Sequence, residues 1–81
     1  MVNERLLKKG QIVESEEEMA DIQAKARGYI QVLRGVFDNA VNLPQMDTEM
    51  ALVIVKDMQL LKERYRQLCD STQVLKKELG A

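Results

Sequence analysis

From Ala51 to Leu79 the residues Ala51, Ile54, Met58, Leu61, Tyr65, Leu68, Thr72, Leu75 and Leu79 follow one another at alternating steps of three and four. Only an α-helix places such a series in a single line, so this stretch reads as a helix with one stripe turned to a partner. In heptad notation, abcdefg, the stripe occupies a and d. No Gly or Pro interrupts positions 48 to 79. Asp47 is a good N-cap, Glu49 supplies charge to the first turn, and Gly80 ends the element. One continuous helix B over about 48–79 is expected.

The same spacing runs through Met19, Ile22, Ala26, Tyr29, Leu33, Val36 and Ala40. Ser15 with Glu18 fits a capping box, and Glu16, Glu17 and Glu18 would complement the positive end of a helix dipole. That run is read as a solvated helix start rather than a metal or partner site. Helix A is therefore expected over about 16–41, closing where Asn42-Leu43-Pro44 interrupts the hydrogen-bond ladder. Residues 1–14 read as an N-terminal arm, in which Val2, Leu6 and Leu7 can share one side of a short helix that Gly10 would end.

Two long helices joined by about five residues must lie antiparallel. The fold class is thus all-α, a helical hairpin with a short arm. At 1.5 Å per residue helix A spans roughly 39 Å and helix B roughly 48 Å, so helix B overhangs by about six residues. Leu6, Leu7, Ile12 and Val13 of the arm are expected to cover Val74, Leu75 and Leu79; the alternative sends the arm to a second chain.

The stripes do not exhaust the apolar residues, which with Tyr and Cys make up 46% of the chain. Helix B carries Met50 at g and Val53, Leu60 and Val74 at c, while Leu52 and Val55 make 50–55 apolar nearly all round. Helix A adds Ile30 and Phe37 at e, with Val41 further round. A core of this size rarely supplies more than ~3–5 kcal/mol, and leaving so much apolar surface in water marks an interaction site. A symmetric dimer, two hairpins forming a four-helix bundle, would bury it; so would a hetero-partner helix. Gly28 and Gly35, both at c and flanking Val32 at g, read either as a smooth strip for close helix approach or as a tolerated pair on a solvated face. The expected interface residues are Ile30, Phe37, Met50, Val53, Leu60, Val74, Gly28 and Gly35.

Composition removes most chemistry. The chain has no His, hence neither the commonest general base nor the commonest transition-metal ligand. A di-metal carboxylate bundle would need Glu-x-x-His pairs, and no phosphate-binding loop or dinucleotide fingerprint is present. Asp57, the one acid in the most apolar part of helix B, reads as a structural ion-pair partner for Lys25 or Arg34 rather than a catalytic acid. Cys69, the only cysteine, reads as a half-buried structural thiol, with a redox or intermolecular role as the alternative. No catalytic residue, metal or cofactor is expected.

The longest apolar run, Met50 to Val55, is far short of the ~20 residues a bilayer requires. The lone thiol and the absence of an apolar leader segment lead to the expectation of a cytoplasmic protein. Net charge is -1, with 12 Lys and Arg against 13 Asp and Glu, giving no general pull toward nucleic acid. Lys62, Arg64 and Arg66 point in different directions around helix B. The expected function is a non-enzymatic protein-interaction module, a small adaptor, chaperone-like or inhibitory regulatory protein, likewise self-associating. The alternative is a small dimeric nucleic-acid-associated regulator presenting Lys8, Lys9, Lys76 and Lys77.

Overall fold

A computed structural model describes residues 3–40 and 42–80. The chain is an antiparallel helical hairpin: α1 (Glu4–Asp38), a 3₁₀ turn (Leu43–Gln45) and α2 (Thr48–Gly80), with no strand among the described residues. It forms a thin rod with extents of 63 × 19 × 15 Å.

Among the described residues the expected arm is not a separate element, because α1 already begins at Glu4. Asn3 caps α1, its Oδ1 accepting the Arg5 N–H at 3.0 Å, and Glu4 places a carboxylate in the first turn. From there the helix runs through Gly10, whose ~1 kcal/mol propensity deficit is too small to stop it once neighbouring turns pack on α2. Ser15 is consequently an interior position rather than an N-cap. Glu16, Glu17 and Glu18 sit mid-helix, far from the dipole end they were expected to neutralise. α1 ends at Asp38, where the Asn39 N–H donates to the Gly35 carbonyl at 3.1 Å. Val2 and Val41, named in the expected arm and helix A face, lie outside the described residues.

Because α1 has 35 residues and α2 has 33, the overhang expected for α2 disappears. Four cross-helix contacts fix the register: Lys8–Glu78 at 3.0 Å, Glu16–Lys76 at 3.2 Å, Glu18–Arg64 at 3.0 Å, and the Cys69 thiol against Met19 Sδ at 3.6 Å. This register sets Ile12 level with Leu75 and Ser15 level with Thr72. Ile12 is half-buried there, but Leu6, Leu7 and Val13 are exposed, as is Val74. So Ile12 alone of the four expected residues helps to cover the end of α2.

The seams themselves are as the heptads require. Every described seam residue of either helix is buried or half-buried; Ile22, Ala51, Ile54, Leu68 and Thr72 are the deepest. Between the helices, the Asn42 side chain accepts from the Gln45 N–H at 3.3 Å and Pro44 occupies the first turn of the 3₁₀ segment. Asp47 Oδ1 then accepts the Met50 N–H at 3.0 Å, capping α2 where the sequence placed the cap.

Candidate functional site

Glu16 and Glu18 are two residues apart, about 200° around the helix, so their ion pairs lie on opposite edges of the seam. The Glu16–Lys76 edge belongs to the e positions and the Glu18–Arg64 edge to the g positions. They divide the rod into two long faces. The first is built from e and b residues, the second from g and c residues.

The e/b face contains an apolar groove of about 450 Å³ midway along the rod. Its floor is Ile22, Ala26 and Leu33 from α1 with Met58, Leu61 and Tyr65 from α2, and Gln23, Val55, Gln59 and Lys62 complete the lining. Ala26 is the smallest side chain of that floor, and its size leaves the depression open. Ile30 and Phe37 continue the e line of α1 toward the turn and are exposed. Charge on this face is predominantly positive. Lys9, Arg27, Arg34, Lys62, Arg66 and Lys76 occupy its e and b positions, and its single acid is Glu16, held by Lys76.

The g/c face differs in charge and in surface relief. Near the turn it shows Val32, Met50, Val53 and Leu60 beside Gly28 and Gly35, and Leu60 is 65% exposed. Toward the open end it becomes acidic, with Glu14, Glu18, Asp21 and Glu78 against Arg64. Arg64 grips Glu18 with two hydrogen bonds, Nε to Oε1 and Nη2 to Oε2, both 3.0 Å. This double donation, which outweighs desolvation, holds the Glu18 carboxyl below its ordinary range and raises the guanidinium.

The expected interface residues therefore do not form one patch. Gly28, Gly35, Met50, Val53 and Leu60 gather on the turn half of the g/c face, while Ile30 and Phe37 are on the other face. Val74 shares the c line but lies about 21 Å along α2 from Leu60. An added Cβ at Gly28 would meet nothing within 4 Å, so nothing inside the hairpin demands the glycine. Asp57 is half-buried, and the register brings Lys25 across from it, yet among the described residues Asp57 forms no ion pair.

The basic residues of the nucleic-acid alternative are partly engaged. Lys8 is tied to Glu78 and Lys76 to Glu16, which leaves Lys9 and Lys77 without a carboxylate partner among the described residues. Cys69 is half-buried, its sulfur packed on Met19. Sequence reasoning missed the charge segregation between faces. The signal is present in Arg27, Arg34 and Arg66, which share position b on the two helices.

Among the described residues no helix is long and apolar enough to cross a membrane. Compared with protein families, curated proteins and solved structures, the chain matches none.

Proposed function

We propose that the chain is a non-enzymatic protein-interaction module, a small adaptor or regulator that self-associates by helix packing. The observation that supports this most strongly is the apolar character of the turn half on both faces. Between residues 30 and 60 the charged side chains are Arg34, Asp38, Asp47, Glu49, Lys56 and Asp57 alone. Ile30, Val32, Phe37, Met50, Leu52, Val53, Val55 and Leu60 are all exposed there. Exposed apolar area contributes roughly 25 cal/mol per Å² when removed from water, so covering this half favours association.

For self-association the g/c face is the better candidate. Two e/b faces brought together would oppose Arg27, Arg34, Lys62 and Arg66 with their copies. On the turn half of the g/c face the charges are Lys25 and Asp57, which can pair across a two-fold axis, and the glycines allow close approach of backbones. A four-helix bundle made by overlapping turn halves in opposite directions keeps Glu14, Glu18 and Asp21 of the two copies apart.

Sedimentation equilibrium over a wide concentration range tests the reading. A concentration-dependent rise in mass, abolished by Leu60→Asp with helicity retained, is expected. A monomer at every concentration would remove the self-association.

A further inference from the structure

We propose that the groove on the e/b face receives an acidic amphipathic helix of a partner protein, which lies along α1 and α2 as a third helix. The floor of the groove is apolar and runs parallel to both helices. From Ile22 to Leu33 it extends roughly 17 Å, about three helical turns. A helix seated there would present three or four apolar residues at steps of three and four, the pattern that fills a trough between two helices. Extended peptides gain most of their affinity from an open sheet edge, and among the described residues there is no strand.

Charge specifies the occupant. Lys62 lines the groove itself, and Arg27 and Arg34 on the α1 side and Arg66 on the α2 side occupy the b positions that flank it; all four are exposed and none is in an ion pair among the described residues. At the e and b positions the one carboxylate, Glu16, is taken by Lys76, while Glu63 borders Lys62 and Arg66 from the neighbouring f line, so the banks keep a net positive charge. A helix whose apolar stripe is bordered by Asp or Glu would meet opposite charge on both banks, which fixes its position and speeds encounter. A phosphate backbone would satisfy the banks but leave the apolar floor against polar groups, so nucleic acid is the poorer fit.

The inference rests on the interaction-module reading, yet the two can fail separately, because they use opposite faces. The probe is a fluorescein-labelled synthetic peptide of about five helical turns, with leucines at a and d and glutamates at e and g. Its counterpart carries lysines in place of the glutamates, and fluorescence anisotropy reads both. The glutamate peptide is expected to bind at least ~10-fold more tightly than the lysine peptide. Lys62→Glu with Arg66→Glu should weaken it by ~10-fold or more, and Leu60→Asp should leave it unchanged. Lys62→Gln with Arg66→Gln gives the same direction with less perturbation, and far-ultraviolet circular dichroism verifies that each variant is folded.

Equal binding of the two peptides, or no loss in either rim variant, would overturn the proposal. Displacement by duplex DNA at equal charge concentration would reassign the groove to nucleic acid. A loss of peptide affinity as the protein concentration rises into its self-associating range would reassign the groove to a second copy.

Discussion

Replacing Gly28 and Gly35 by alanine separates the stability of the hairpin from that of its assembly. In the structure a Cβ at Gly10 or Gly28 meets no atom within 4 Å, and at Gly35 its nearest neighbour is Asn39 Nδ2 at 3.8 Å, ordinary van der Waals contact. The isolated hairpin accepts all three methyl groups. Each removes a helix-interior glycine and contributes ~0.5–1 kcal/mol of helix stability. For a chain of this length that raises the melting temperature by about 4–8 °C per kcal/mol. Gly10, on the far side of the rod from both interfaces, should show this gain and nothing else. At Gly28 and Gly35 the methyl groups would also stand between the backbones of packed copies. Overpacking costs ~1–3 kcal/mol, about a five- to 150-fold loss of association. The double variant should therefore melt higher than the parent when dilute, yet dimerise more weakly. Melting by circular dichroism at several concentrations, with sedimentation equilibrium alongside, reads both quantities. An unchanged dimerisation constant in the double variant, with the melting gain of Gly10→Ala, would refute the close-approach role and make the glycines ordinary surface.

Leu61→Asp puts a carboxylate into the seam and should abolish the folded signal, whereas Leu60→Asp, one residue away on exposed surface, should keep helicity and lose self-association; identical melting curves for the two would overturn the heptad register. Glu18 is stabilised in its charged form, so its contribution is complete above the ordinary glutamate value of about 4.3 and is lost as pH falls through its depressed value. Glu18→Gln should accordingly flatten the acid limb of a stability-against-pH curve, and an unaltered limb would show that the Arg64 pair contributes nothing. Thr72 is only 4% exposed, and its hydroxyl has no hydrogen-bond partner among the described residues. Thr72→Val keeps the shape and removes that polar group, and chemical denaturation should report a gain of about 1 kcal/mol; a loss would mean the hydroxyl is satisfied.

The two seams, their antiparallel packing and the Asp47 cap were legible because each depends on local spacing: periodicity of three and four, and a capping side chain before the first turn. The start of α1 was not. Carried backward from Met19, the same steps pass through Ser15, Ile12 and Lys8, but two of these are polar and read as the edge of the pattern. Lys8 falls on the seam and is half-buried there, its ammonium reaching Glu78. Asn3 followed by Glu4 was a usable cap signal, outweighed by Gly10, whose breaking tendency is weak beside tertiary packing. The division of apolar residues between two faces, and of charge with it, was hidden for another reason. Positions b and c are adjacent in sequence at Leu52 and Val53, yet they belong to opposite edges once a second helix closes one side.

The connector between α1 and α2 has a consequence for how the hairpin assembles itself. Asn42 and Asp47 hold a short, locally bonded turn that needs no distant residue, and closing a short loop has the smallest entropic cost. Folding that began at this hinge would zip outward one seam layer after another, a route that favours speed. On that route the ion pairs Glu16–Lys76 and Lys8–Glu78 would form last, as a latch at the open end. Their removal would quicken unfolding while leaving the speed of folding nearly untouched.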